Sequence, residues 1–520
     1  MNWRHYTILF IVGLIVPTVV ASYQNLPGYI DADYYFAGGL QLFDGKGFTE
    51  PYLWNYLDDP AGLPHPSHTY WMPLASVISA LGMWITGQRT YYAGRIAFIL
   101  LSACVPLLTA ALAENITHQP RLAMVSGFLA IFSLFYAPFM PVPDNYVIFM
   151  VLGALYFLIS VRPRPWLWLG IISGLLTLAR SDGLLWLVLT GLFIFMKQER
   201  KPDDTKTSFI FSSIIPAGLM ALTGYLLIMG GWHIRNLTLF SSPMTPGGGR
   251  LIWMQNYFET FIYPAGKLSQ VSFLQAGWDI ALKNRLQAFS SNIFISAIIS
   301  QGGIFFVPFM AIGLIYLRHD VRTRIAVTGW LILLAVMTFV FPFAGSRGSF
   351  FHAGAAFQPY WWVAAPIGLN VIVEKARARG RLSDSAYLLF QSIMVLLAII
   401  LTIYLVYIRV VANEWPKDDG NYASVEKMLV ENGGRPGEIV IVRNPPGYYI
   451  ASERPAIVIP YGDVSVLLEV AKRYNARYLI LEDHGVYNEL KAIYDSPQKN
   501  PMFDYLGEVN GARLYLIDVR

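Results

Sequence analysis

The feature that most limits the fold of this chain is a repeat of apolar runs of about 15 to 22 residues, broken by short polar turns. A helix of that length crosses a hydrocarbon core with every backbone hydrogen bond satisfied internally. Candidate spans are 5–22, 92–113, 122–139, 146–161, 166–180, 183–196, 208–230, 292–317, 324–343, 355–373 and 387–411. Composition agrees: 55% of the 520 residues are hydrophobic and only 14% are charged, where a soluble domain carries about a quarter. Cys104 is the only cysteine, which excludes an internal disulfide and a cysteine-based metal centre. The formal charge of +5 reads as loop bias rather than a nucleic-acid surface. Residues 5–22 follow Arg4 without a small-residue cleavage site and read as a retained signal anchor.

One further apolar run, 69–86, decides the topology. If it does not cross, the positive residues gather in loops on the side of the N-terminus. These are Arg121; Arg162 and Arg164; Lys197, Arg200, Lys201 and Lys206; Arg318, Arg322 and Arg324; and Lys375, Arg377, Arg379 and Arg381. Cytoplasmic loops carry such an excess. The run 69–86 is therefore expected to lie on the outer face as an amphipathic or re-entrant segment. That gives about eleven spans, with the N-terminus cytoplasmic and the C-terminus outside. The outer face then carries a long first loop, 23–91, and a second long loop, 231–290.

Past Pro416-Lys417-Asp418-Asp419 the composition changes. Short apolar segments at Glu438–Val442, Ala456–Pro460, Tyr478–Leu481 and Leu514–Ile517 alternate with helical patterns at 421–432, 464–475 and 486–494. This predicts a small C-terminal α/β domain outside the membrane, 413–520, appended to a membrane domain, 1–412. No nucleotide-binding glycine loop appears in it.

The outer face concentrates chemistry. Asp31 and Asp33 open the first loop within Gly28-Tyr29-Ile30-Asp31-Ala32-Asp33-Tyr34-Tyr35. Two close carboxylates can share a divalent cation, or one can act as a base tuned by the other. Asp144, in Pro141-Val142-Pro143-Asp144-Asn145, is a further candidate ligand for a cation and also a good helix N-cap. His65 and His68 precede the surface segment, where they suit metal binding, proton transfer or a simple interfacial role. Arg235, in Trp232-His233-Ile234-Arg235-Asn236, and Arg347, near His352 in Ser346–His352, suit a phosphate group or an interfacial anchor. Arg180 and Asp182 are expected to pair across their turn. The sequon Asn236-Leu237-Thr238 is too common a pattern to assign.

Together these motifs resemble the GT-C superfamily of integral membrane glycosyltransferases, which includes protein O-mannosyltransferases, aminoarabinose transferases and oligosaccharyltransferase catalytic subunits. The likeness covers roughly residues 1–370. It rests on the first span, then Asp31 to Gly39, the His65–Pro73 lead to a surface helix, Asp144, Leu178–Leu185 and Trp232–Asn236. The resemblance implies a polytopic GT-C-like fold in the cell membrane and a sugar donor carried on a polyprenyl phosphate. It implies an extracytoplasmic acceptor (a glycan, lipid or protein) and inversion at the anomeric carbon. It also implies an aspartate of the first outer loop as base, here Asp33 with Asp31 close behind. Arg235, Arg347, His352, His68 and Tyr35 are the expected substrate contacts. Some members use a divalent cation such as Mg or Mn, for which Asp144 and Asp31 are the ligands here. The motif reads Asp-Ala-Asp where several relatives have Asp-Glu, so it does not fix which aspartate is the base. The competing reading is a transporter or flippase of lipid-linked substrates. Against it, the chain has no inverted repeat, and its charges sit in loops rather than within spans.

Overall fold

A computed structural model describes residues 1–197, 210–383, 385–415, 421–483, 490–498 and 502–518. Arg200, Lys201 and Lys206, part of the expected cytoplasmic charge, lie outside the described residues, as does the predicted boundary at Pro416–Asp419. The chain is mostly helical. Among the described residues five helices are long and apolar enough to cross a membrane: Trp3–Ser22, Tyr91–Thr117, Ile210–Phe240, Val321–Val340 and Ala386–Ala412. This is a multi-pass membrane protein. Shorter apolar helices include Pro120–Ile131, Asn145–Ser160, Trp166–Ala179 and Val307–Tyr316.

Two departures from the expected spans have local causes. The run 122–139 leaves the α-helix at Phe132 and continues as a short 3-10 turn, Leu134–Tyr136. Pro138, Pro141 and Pro143 follow, and each lacks the N–H that a continuing helix needs. The helix expected to end at residue 230 instead runs to Phe240 and stops at Ser241 in the left-handed region (φ 56°). His233, Arg235 and Asn236 are therefore helical and do not open a loop. Helix Leu74–Thr86 has 13 residues. At 1.5 Å per residue it rises about 20 Å, short of the hydrocarbon core of roughly 30 Å.

The chain forms two compact units, and the cut does not follow the single boundary expected near residue 413. The first unit holds residues 1–23, 95–243 and 285–413. Its helices meet through small residues. A Cβ on Gly170 would overlap the Ala221 carbonyl, and one on Gly224 would overlap that of Leu167. Helices Trp166–Ala179 and Ile215–Phe240 thus touch backbone to backbone, as apolar helices do where lipid supplies no competing hydrophobic drive. Gly313 and Gly368 join Val307–Tyr316 to Gln358–Ala378 in the same way.

The second unit holds residues 24–94, 244–284 and 414–520, so both long loops fold with the tail. Its sheet, among the described residues, has six strands in the order β2-β5-β4-β6-β8-β7. From the tail come β4 (Ile439–Val442), β5 (Ala456–Val458), β6 (Ala476–Glu482), β7 (Phe503–Val509) and β8 (Ala512–Ile517). Strand β2 (Tyr52–Leu53) comes from the first loop and pairs in parallel with β5, Tyr52 opposite Ala456. The loop's other strands, β1 (Thr49–Glu50) and β3 (His65–Pro66), form a separate antiparallel pair. Tyr56 is fully buried and its hydroxyl donates to the Val458 carbonyl. Helix Val464–Tyr474 shows why the tail alternates as it does. Asp463 caps its start by accepting from Val466 N (3.0 Å), Asn475 ends it at φ 53°, and Leu467, Val470, Ala471 and Tyr474 bury one face. The sequence reading missed β2, β7 and helix Pro445–Ser452.

Candidate functional site

In the second unit, Asp31 and Asp33 lie in the first turns of helix Ile30–Phe43. Helical residues two apart point about 160° away from each other. The close carboxylate pair suggested by the sequence therefore diverges. Asp31 is half-buried and sits where the helix dipole favours negative charge. Asp33 is 1% exposed, and its Oδ2 accepts a hydrogen bond from Nδ2 of Asn444 at 2.8 Å. Asn444 also caps helix Pro445–Ser452, its Oδ1 accepting from Gly447 N at 3.2 Å. The same two helices join again where Gln41 Nε2 donates to the Tyr449 hydroxyl (2.7 Å). Asn444 was not a sequence candidate. Asn-Pro-Pro-Gly is legible as a helix start, but nothing local reveals a partner 411 residues away.

Tyr35 and His68 are buried within this unit. The ring nitrogens of His68 lie 2.7 Å from Ser67 Oγ and 3.0 Å from Ser76 Oγ, and its backbone N–H donates to the Tyr34 hydroxyl at 2.8 Å. The Tyr35 ring packs at the edge of Tyr34 and beside Trp71. These contacts place both residues in the packing that supports the acidic helix.

His65 has a different role from the metal ligand or interfacial residue considered for it. Its Nε2 lies 2.7 Å from Asp58 Oδ2 and its Nδ1 3.2 Å from Glu50 Oε1, with all three side chains buried. Burial alone would lower its pKa. Hydrogen bonds and charge from Asp58 and Glu50 override that and raise it to about 9. Burial raises Glu50. An imidazolium between two carboxylates thus ties β1 to β3. Because the folded pKa lies above the ordinary 6.5, this stabilisation is complete below about pH 6.5 and is lost as pH rises through about 9. A shift of this size corresponds to about 3 kcal/mol. Hydrogen exchange at residues 49–66 is expected to accelerate between about pH 7 and 9 beyond the intrinsic trend. His65→Gln removes that excess. An unchanged excess in the variant contradicts the assignment.

In the first unit, Asp144 is the N-cap of helix Asn145–Ser160, accepting from Asn145 N at 2.6 Å. The cap does not exhaust it. Asp144 is 1% exposed, and its Oδ2 lies 3.2 Å from Nε2 of His352. The other ring nitrogen of His352 lies 3.0 Å from the Gly348 carbonyl. Nδ1 also lies 3.2 Å from the Tyr146 hydroxyl, so it can donate to the carbonyl or accept from the hydroxyl. In the first case Nε2 turns a lone pair toward the buried carboxylate unless a proton or a cation stands between them. The pair has the donor chemistry of a partial cation site. Tyr146 stacks on the His352 ring (centroids 4.0 Å apart) and fixes its plane.

Arg347 is exposed, one residue before Gly348, whose φ of 122° is open to glycine. Arg235 lies over the Trp232 ring at 4.4 Å and donates to Asn236 Oδ1 at 3.0 Å. Arg180 and Asp182 pair as expected, NH2 to Oδ2 at 2.9 Å. Asn236 of the sequon is 1% exposed, which leaves no room for a glycan.

No protein-family model matches the chain, and no curated protein matches its sequence. Solved structures match by fold. One is an oligosaccharyltransferase from Archaeoglobus fulgidus tethered with an acceptor peptide containing the NVT sequon: 13% identity, 92% of this chain and 69% of that one, TM-score 0.56. The same enzyme in complex with Zn and sulfate matches with 13% identity over 98% and 72% of the two chains, TM-score 0.55. Another is ArnT from Cupriavidus metallidurans bound to undecaprenyl phosphate: 11% identity, 99% of this chain and 98% of that one, TM-score 0.56. The chain shares its fold with these membrane enzymes. The expectation drawn from its motifs holds at that level.

Proposed function

We propose that this protein is a membrane glycosyltransferase that moves a sugar from a polyprenyl-phosphate donor to an extracytoplasmic acceptor, with inversion. The observation that carries the reading is Asp31. It is a half-buried carboxylate at the start of the helix after the first span, on a fold shared with a protein bound to undecaprenyl phosphate. The N-terminus is cytoplasmic and the acidic helix lies outside. The second unit, with the tail, is extracytoplasmic.

Asp31 is the base. The acceptor hydroxyl attacks the anomeric carbon from the face opposite the phosphate, and its proton passes to Asp31. The bond from the anomeric carbon to the phosphate oxygen breaks, and its electron pair leaves with the polyprenyl phosphate. Asp33 is held too tightly by Asn444, and buried too fully, to receive that proton. The sequence preference between the two aspartates is therefore reversed. Arg347 and Arg235 offset charge on the phosphate. Asp144 and His352 would hold a divalent cation, which when bound neutralises phosphate charge. His352 Nδ1, fixed on the Gly348 carbonyl, keeps Nε2 turned toward Asp144.

Arg347→Ala is expected to raise the apparent KM for undecaprenyl-phosphate-linked sugars roughly tenfold to a hundredfold, the cost of one charge-assisted phosphate contact. Acceptor dependence stays unchanged. The check is release of undecaprenyl phosphate by the purified protein at varied donor. Equal KM in Arg347→Ala, Arg235→Ala and wild type makes both arginines interfacial anchors.

A further inference from the structure

The tail of this chain reaches into the acidic helix of the first loop at one polar point. Asn444 donates from Nδ2 to Asp33 Oδ2 (2.8 Å) while its own Oδ1 accepts from Gly447 N (3.2 Å). Both side chains are buried, Asn444 at 5% and Asp33 at 1% exposure. The amide is therefore used at both ends and fixed in orientation. Its backbone is fixed as well, because Pro445 and Pro446 follow it and open helix Pro445–Ser452. Residue 447 must be small, since a Cβ there would press on Asn444 Nδ2 and approach Asp33 Oδ2. One turn further on, Tyr449 accepts from Gln41. The two helices are thus joined near the start of the acidic helix and again near its end.

We propose that Asn444 is a positioning residue for sugar transfer: it holds Asp33, and through Asp33 the first turn that carries Asp31. The inference rests on the transferase reading above. Asp33 sits two residues from Asp31 within one helical turn, so anchoring one carboxylate sets the backbone that aims the other. The base must lie within about 0.5 Å of its productive position for full rate. The tail would then set the geometry of a reaction without touching a reacting atom.

The test uses the full-length protein in detergent, with undecaprenyl-phosphate-linked sugars as donor probes. Asn444→Ala removes the hydrogen bond. Transfer is expected to fall about tenfold in kcat with donor KM unchanged, and amide exchange over Asp31–Phe36 to rise by a similar factor. Asn444→Asp keeps the cap but sets two carboxylates at hydrogen-bond distance, where they must share a proton. Its activity is expected to move to the acid side between about pH 5 and 9. The double exchange, Asn444→Asp with Asp33→Asn, restores one donor and one acceptor and is expected to recover most of the rate at neutral pH. A general loss of folding would not produce that recovery. Unchanged exchange in Asn444→Ala overturns the inference. So does a double variant that stays inactive while Asp31→Asn remains inactive, because Asp33 would then be acting through its charge. Normal transfer by both Asp31→Asn and Asp33→Asn overturns the assignment of the base instead, absence of transfer by the wild type overturns the transferase reading, and in either case the exchange measurement still decides the contact.

Discussion

Asp31→Asn is expected to lower sugar transfer by at least about a hundredfold, with donor binding intact. An acceptor hydroxyl is a poor nucleophile until its proton has somewhere to go, and a positioned base contributes about 10² to 10⁴ in rate. The amide keeps the size of the carboxylate and its place at the helix start but cannot take a proton. Asp33→Asn should cost less, because its amide oxygen can still accept from Asn444 and only the charge behind that hydrogen bond is lost. The order of the two effects is the informative result. Single-turnover release of undecaprenyl phosphate measures it, with donor binding followed separately. A large loss in Asp33→Asn beside near-normal turnover in Asp31→Asn would return the base to Asp33.

The second large effect concerns the tail. Composition alone suggests that residues from about 415 onward should fold alone, since the sequence breaks there. The structure predicts failure. Cutting the tail from residues 24–94 strips β2 from β5 and breaks the Ala456 N to Pro51 carbonyl hydrogen bond (3.2 Å). It also removes Tyr56, which covers β5. Losing the burial of two or three large side chains costs on the order of 5 kcal/mol, comparable to the whole stability of a small domain. The bared β5 edge is also a template for aggregation. The excised segment 414–520 is expected to be insoluble or to melt without cooperativity. The same segment fused to residues 24–94 should melt cooperatively in detergent, which covers the exposed Leu81, Trp84 and Ile85. A monomeric excised fragment with a sharp thermal transition contradicts this.

Much of the membrane part was legible, because a bilayer allows few solutions to the backbone hydrogen-bonding problem. Run length and loop charge alone led to helices near 5–22, 92–113 and 387–411, and to a run at 69–86 that is too short to cross once folded. The break after Ile131 was visible in its prolines but outweighed by apolar content. Short tail strands could be read from β-branched runs, as at Ile439–Val442. Tyr52–Leu53 could not, because two residues have no period and the strand exists only through its partner. The candidate residues divide in the same way. Asp31, Asp144 and His352 stood out by type and place. The diverging directions of Asp31 and Asp33 depend on the helix starting at Ile30, so that both aspartates fall inside it. Asn444, and the clamp of His65 by Glu50 and Asp58, depend on tertiary pairing that spacing does not encode.

The most direct measurement of the central claim reconstitutes the full-length protein in liposomes holding undecaprenyl-phosphate-linked sugars, with candidate glycan, lipid and peptide acceptors outside. Mass spectrometry then follows both the lipid and the acceptor. The transferase reading predicts that free undecaprenyl phosphate and a glycosylated acceptor accumulate together, one for one, and that both vanish with Asp31→Asn. Intact lipid-linked sugar moving between leaflets, with no free undecaprenyl phosphate formed and no effect of Asp31→Asn, would contradict it and identify a flippase.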